Sequence, residues 1–273
     1  MLGYKALAKL GRKKYREQYN AYLVEGKKTV LEAIEAKVAI IQLVATNSFK
    51  QEQPEYYGQR PIQKYVSDHL MLELGRSQFS EITDTTTPQG IAAVIKLPEF
   101  NLDTILAGPK RTIAILEDIR DPGNLGTIIR TADWFGFDGL ICLGGADPYQ
   151  PKVVRSSMGS IFRMPIIHYG RSDVNESLSD LFAKLKDTGF KPVVTKPKLM
   201  DEEAPRGAAQ VTDLSALREA KVCLVFGNEA HGTSQRIDQL AESAIAIPGY
   251  GGAESLNVAI SFGILAAWRR IQG

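Results

Sequence analysis

The chain has 273 residues, 44% of them hydrophobic and 23% charged, enough to bury one large or two modest cores. With 33 Lys and Arg against 31 Asp and Glu the formal charge is +2, too small to point to a partner by itself, and the composition is that of an ordinary globular protein. No apolar run reaches the about 18 residues that a membrane helix needs, so no membrane role is expected.

The first 28 residues hold Lys5, Lys9, Arg12, Lys13, Lys14, Arg16, Lys27 and Lys28 against Glu17 and Glu25. A basic end on a nearly neutral chain suits a polyanion partner, and it equally suits a solvated helix face. The opening "MLGYKALAKLGRKKYREQ" has no apolar core and no small-residue cleavage site, so no signal peptide is expected and the protein reads as cytoplasmic. "AYLVEG" predicts a strand ending at Gly26, "KKTVLEAIEA" a helix and "VAIIQLVATN" a strand. "SFKQEQPEYYGQRP" reads as loop, "SDHLMLEL" as a short helix with a Ser or Asp cap, and "QGIAAVIKLP" as a last strand. These elements make a small α/β module over residues 1–98, joined by "EFNLDTILAGPKR" to a second module over 110–273.

In the second module "TIAIL", "GLICL", "PVVT", "KVCLVF" and "AIAIP" are short, β-branched apolar runs, typical of strands buried on both faces. Helical patterns, including "NESLSDLFAKLKDTG" and "TSQRIDQLAESA", lie between them. That alternation predicts a parallel sheet covered by helices. "KPKLMDEEAPRGAAQ" reads as an irregular surface loop. Cys142 and Cys223 sit inside two of the apolar runs and are expected to be buried free thiols.

Ligands of open α/β sheets sit beyond the carboxyl ends of strands, and three turns at such ends carry Gly and Asn. In "TIAILEDIRDPGNLGTIIRTADWFG", Asn124 either caps the helix or faces a ligand, and Arg130 has the neighbours Ile128, Ile129 and Ala132 of a buried helix. A buried guanidinium needs an anionic or hydrogen-bonding partner. In "KVCLVFGNEAHG", Glu229 suits acid–base chemistry, capping or pairing with Arg130; His231, like His69 and His168, is expected to have no role. In "AIAIPGYGGAESLNVAISFGILAAWRRI", a Gly-rich turn offers backbone N–H groups, a helix is expected to begin near Ser255, and Ser255 and Asn257 are either caps or site residues. Complete dinucleotide and NTPase glycine motifs are absent, as is metal-binding His/Cys spacing, so no metal is expected.

Together, "PGNLGTIIRTADWFGFDGL", "LVFGNEAHGTS" and "IPGYGGAESLNVAISFGILA" resemble, in order and spacing, the three motifs of the SpoU (TrmH-like) branch of the SPOUT RNA methyltransferases. The resemblance implies an α/β fold with a SPOUT-type parallel sheet and a C-terminal trefoil knot. "YLVEGKKTVLEAI" looks like the small L30e-like substrate-binding domain that precedes it in many members. The implied activity is methyl transfer from S-adenosyl-L-methionine to a ribose 2′-hydroxyl of structured RNA by a homodimer. Ribosomal RNA, 23S in particular, is favoured over tRNA by the additional N-terminal module; a tRNA 2′-O-methyltransferase, a base methyltransferase and a non-catalytic RNA-binding homologue are the alternatives.

By the same resemblance Arg130, Asn124, Glu229, Ser255 and Asn257 form the catalytic group, with Arg130 assigned to the hydroxyl. A guanidinium resists deprotonation, so Arg130 is expected to bind the adjacent phosphate and polarise the hydroxyl, oriented by Glu229. The cofactor is expected against Leu224, Phe226, Gly227, Asn228, Ile247, Pro248, Gly249 and Leu256. Arg155 and Ser157 in "PKVVRSSMGSIFRMP" are expected phosphate contacts, and Arg12, Lys13 and Lys14 add sequence-independent RNA affinity. Tyr15, Tyr19 and Tyr22 either stack on bases or pack their own module. The one departure from the motifs is Ala230, where a glycine is common in the family.

Overall fold

The computed structural model of the protein describes residues 1–109, 111–196, 209–211, 214–250 and 252–272. The chain divides into two compact units, Met1–Glu99 with Tyr149–Arg163 and Phe100–Pro148 with Met164–Gly273.

In the first unit α1 (Tyr4–Leu7) and α2 (Lys13–Tyr19) precede β1 (Ala21–Glu25), α3 (Lys27–Glu35) and β2 (Ile40–Thr46). Then come α4 (Phe49–Glu52), α5 (Pro54–Tyr57), α6 (Arg60–Ser67), β3 (Met71–Leu74), α7 (Arg76–Ile82) and β4 (Ile91–Lys96). The sheet order is β1-β4-β2-β3, with β4 antiparallel to both β1 and β2 and β3 parallel to β2. Two expectations are corrected here. The polar stretch expected as loop forms α4 and α5, because Phe49 and Tyr56 bury their rings edge to face at 5.6 Å and Pro54 opens α5. "SDHLMLEL" is not a helix: α6 ends at Ser67, His69 takes a positive φ of 56°, and Met71–Leu74 pairs with Leu43–Thr46.

The second unit begins with α8 (Leu102–Leu106), β5 (Thr112–Glu117), α9 (Pro122–Trp134) and β6 (Gly139–Leu143). After α10 (Pro151–Ser156), which lies in the first unit, come β7 (Ile166–Tyr169), α11 (Arg171–Asp187), β8 (Lys191–Lys196), β9 (Ala209–Val211) and β10 (Val222–Phe226). The unit closes with α12 (Gln235–Leu240), β11 (Ser243–Ala246) and α13 (Val258–Gln272). Among the described residues every pairing in its seven-stranded sheet is parallel, in the order β7-β6-β5-β10-β8-β11-β9. The apolar runs of β5, β6 and β10 are buried on both faces, as such a sheet requires. Ile113, Ile115, Ile141 and Val225 share a core with Leu181, Phe182 and Leu185 of α11. Phe226 meets Phe262 of α13 at 5.1 Å.

The edge strands β7, "IIHY", and β9, "AQV", were not expected, because neither is a continuous apolar run. Of the stretch expected as surface loop, residues 197–208 lie outside the described residues, and Ala209 and Gln210 open β9 instead. Continuous modules over 1–98 and 110–273 were expected, whereas Tyr149–Arg163 packs within the first unit. Tyr149 lies 5.0 Å from the Tyr22 ring, and Val153 and Val154 are buried. Tyr22 therefore packs its own unit and is closed to RNA bases. Both cysteines are buried and free, and burial pushes the Cys142 thiol up to about 12 and raises that of Cys223, so both stay protonated near neutral pH. No helix among the described residues is long and apolar enough to cross a membrane.

The loop after β6 is pinned to the loop after β5. Ala146 N–H donates to Ile119 O at 2.8 Å, and Gly145, at φ +72°, approaches so closely that a Cβ would lie 2.4 Å from that oxygen. Gly145→Ala therefore combines left-handed strain with a backbone collision, and we expect it to lower stability by about 1–3 kcal/mol. A urea unfolding midpoint equal to that of the wild-type protein would refute this.

Candidate functional site: three strand-end loops joined by side-chain amides

Because the sheet is parallel, the loops after β5, β10 and β11 leave by one carboxyl edge. The first runs into α9. Asp121 caps that helix, its Oδ1 accepting from Asn124 N–H at 2.8 Å, and Pro122 occupies the first turn. Asn124 is thus relieved of the capping role that the sequence allowed it. Its Nδ2 donates to Glu229 Oε1 at 3.0 Å, and its Oδ1 accepts from Asn257 Nδ2 at 3.0 Å. Asn257 caps α13, its Oδ1 accepting from the N–H groups of Ala259 (2.9 Å) and Ile260 (3.3 Å). One hydrogen-bonded line therefore joins all three loops. The helix expected near Ser255 begins at Val258, and Ser255 is exposed and caps nothing.

The loop after β10 is closed on itself. Asn228 and Gly232 exchange backbone bonds at 3.0 and 2.8 Å, and a Cβ on Gly227 would lie 2.0 Å from the Gly232 carbonyl carbon, so only glycine fits. Asn228 Nδ2 ties the loop to Asp118 O at 3.0 Å, and Ser234 N–H donates to Glu117 Oε2 at 2.7 Å. Glu229 projects from this closed loop toward Asn124, not toward Arg130, which corrects the expected pairing. Arg130 itself is exposed, not buried, and makes no hydrogen bond or ion pair with a described residue. It shares the outer face of α9 with Thr127 and Trp134, the latter 84% exposed. The apolar neighbours Ile128, Ile129 and Ala132 turn inward.

Sequence reading missed Arg120. Its guanidinium is held by Asp118 at 2.6 and 2.8 Å, and Asp118 first and Glu229 second raise its already high pKa. Its position just before "DPGN" was the available signal. Leu224 and Phe226 are buried within β10, which leaves backbone atoms at the strand end as their way of meeting a ligand. Ile247 is half-buried, and Pro248, Gly249 and Leu256 are exposed. Among the described residues, Gly249, Tyr250 and residues 252–256 make no hydrogen bond. Unspent backbone N–H groups beside the apolar Ile247 and Leu256 suit a ligand with a hydrogen-bonding base and an apolar edge.

The remaining predicted residues lie in the first unit. Arg12, Lys13 and Lys14 are exposed. The Arg155 guanidinium is engaged by Asp84 at 3.0 Å and Glu25 at 3.4 Å. Burial raises the Glu25 carboxyl, and Arg155 opposes that rise. Ser157 is fully buried, its hydroxyl donating to Val154 O at 2.7 Å, so the expected phosphate contact is closed. Tyr15 and Tyr19 stack at 6.4 Å with Lys9 over Tyr15, and both remain half-exposed.

The family model of the SpoU rRNA methylases matches residues 111–267, the span that carries all three loops. The chain belongs to the SpoU rRNA methylase family. The model of the MRM3-like substrate binding domain matches residues 4–93 of this SpoU methylase. It is 32% identical to the 23S rRNA (guanosine(2553)-2′-O)-methyltransferase RlmP of Bacillus subtilis, over 94% of this chain and 91% of that one. It is 28% identical to a 23S rRNA (uridine(2479)-2′-O)-methyltransferase of Streptomyces viridochromogenes, over 92% and 83%. Its fold matches the AdoMet-bound rRNA methyltransferase of Sinorhizobium meliloti with a TM-score of 0.78 and 31% identity, over 98% and 94% of the two chains.

Asn124→Asp tests the hydrogen-bonded line. It sets a second carboxylate 3.0 Å from Glu229, so one of the two keeps its proton well above the ordinary carboxylate range. A folded-state pKa raised above the unfolded value means stability present at low pH and lost as pH rises through the raised value. The deficit in Tm against the wild-type protein should therefore grow between about pH 4 and pH 8. A deficit independent of pH would show that Asn124 and Glu229 do not meet.

Proposed function

We propose that this protein is a cytoplasmic S-adenosyl-L-methionine-dependent methyltransferase acting on a ribose 2′-hydroxyl of 23S rRNA. The observation that carries the reading is the Asn257–Asn124–Glu229 line, which gathers one polar residue from each family motif at the carboxyl edge of the sheet. The 23S rRNA substrates named for the relatives support the substrate class. In this reading the first unit, residues 1–99 with 149–163, is an L30e-like RNA-binding module, and the second is the catalytic domain with a C-terminal trefoil knot.

S-Adenosyl-L-methionine supplies a methyl group on a positively charged sulfur, open to in-line attack by an oxygen nucleophile. Gly227 and Asn228 on one loop and Ile247, Pro248, Gly249 and Leu256 on the other would hold it, with Leu224 and Phe226 shaping the strand end. The Arg130 guanidinium, without a partner among the described residues, binds the phosphate beside the target ribose and donates to the hydroxyl, which loses its proton to that phosphate. Asn124, Asn257 and Ser255 position the ribose, and Glu229 holds Asn124 in place. Apolar side chains left in water on α13, namely Ile260, Trp268 and Ile271, together with Trp134 on α9, support a homodimer that buries this face. Arg12, Lys13 and Lys14 supply long-range attraction to RNA. For Arg155 to join them it must leave Glu25 and Asp84.

Two measurements test the reading. Calorimetry should detect S-adenosyl-L-methionine binding, and methylated rRNA should resist alkaline cleavage at one linkage, since a 2′-O-methyl group removes the attacking hydroxyl. Absence of binding would favour a non-catalytic RNA-binding protein, and a methyl group on a base or in tRNA would redirect the substrate. Arg130→Ala should abolish transfer while leaving cofactor affinity near the wild-type value; retained turnover would remove Arg130 from the mechanism. Replacing Arg12, Lys13 and Lys14 with Gln should weaken RNA binding and flatten its log–log salt slope by about 0.7–0.9 for each phosphate no longer neutralised. An unchanged slope would free these residues from RNA.

A further inference from the structure

Lys196 ends β8, the strand that lies between β10 and β11. Its Nζ donates to Asp238 Oδ2 at 2.6 Å and to Thr233 Oγ1 at 3.0 Å, and the Thr233 hydroxyl donates to Asp238 Oδ1 at 2.5 Å. The three side chains close a ring. The Lys196 and Asp238 side chains are only 15% and 18% exposed, and Thr233 is buried. A pair this sheltered loses hydration on folding, and well-packed apolar residues would stabilise the same place about as well. What apolar residues would not supply is a directional hold on Thr233.

Thr233 directly follows Gly232, whose N–H and C=O close the 228–232 loop on Asn228. It directly precedes Ser234, the cap of α12. The leading side of the loop is tied to Asp118 O through Asn228, and the trailing side is tied to β8 through Thr233. Glu229 rides between these two anchors. If the trailing anchor slackens, both the Glu229–Asn124 bond and the tight passage of Gly227 past Gly232 change.

We propose that Lys196, acting through Thr233 and Asp238, is a positioning residue that sets the 228–232 loop, and with it the placement of Glu229 against Asn124 and the affinity for the cofactor. The cofactor clause rests on the function proposed above; the loop clause does not.

The test uses the full chain. In thermal unfolding, Lys196→Met and Asn124→Ala, which do not touch each other, should be non-additive: Asn124→Ala should shift Tm less in the Lys196→Met background than in the wild-type one. Additive shifts would overturn the positioning role. In calorimetry, Lys196→Met should weaken S-adenosyl-L-methionine binding by about threefold to tenfold, the range of coupling within one hydrogen-bonded network, and Lys196→Arg should recover part of it. Lys196→Met with Asp238→Leu removes the pair without leaving a bare carboxylate, so it should regain stability but not affinity. Recovery of both would reduce Lys196 to a structural cation and overturn the proposal. Should the wild-type protein bind no S-adenosyl-L-methionine, the function reading fails, and the unfolding cycle alone decides the role of Lys196.

Discussion

A side-chain amide has one carbonyl oxygen and one NH2 group, and at Asn124 both are committed. The oxygen takes the bond from Asn257, and the nitrogen gives one to Glu229. Through these two bonds Asn124 ties the α9, β10 and α13 loops together. The arrangement depends on Asp121, because a helix N-terminus has free N–H groups that a nearby acceptor will satisfy. With Asp121 in that role, Asn124 is available to reach across the edge of the sheet. The amide order also has a direction, running from the capped start of α13 through Asn124 to a carboxylate.

The glycine- and amide-bearing turns were legible because each interrupts a β-branched run at the point where a parallel strand must stop. Arg130 was placed in the right helix but on the wrong side of it. Thr127, Arg130 and Trp134 recur at the spacing of one helix face, and that face is in water; the apolar neighbours that suggested burial belong to the opposite one. A tally of neighbours in sequence is a poor guide to burial in a helix, where adjacent residues point about 100° apart.

Other features were not legible for a different reason. "MLEL" has no strand character of its own and is drawn into the sheet by the exposed edge of β2. Phe49 and Tyr56 make helical turns of a stretch whose composition is that of a loop. Arg155 looked like a free cation because Glu25 and Asp84 are far from it in the chain. Lys196 carried no motif at all; its partners Thr233 and Asp238 arrive only when β8 and β10 pair. Local chemistry can be read from a string of letters, whereas an ion pair between distant positions is a product of the fold.

The inclusion of Tyr149–Arg163 in the first unit bears on how such proteins can be rearranged. The first unit is written in the gene in two pieces, separated by α8, β5, α9 and β6 of the second. A recombination event that swaps everything before residue 99 would deliver Tyr22 without Tyr149, and Glu25 without Arg155. Transfer of the first unit intact therefore requires two separate segments, residues 1–99 and 149–163, to move together.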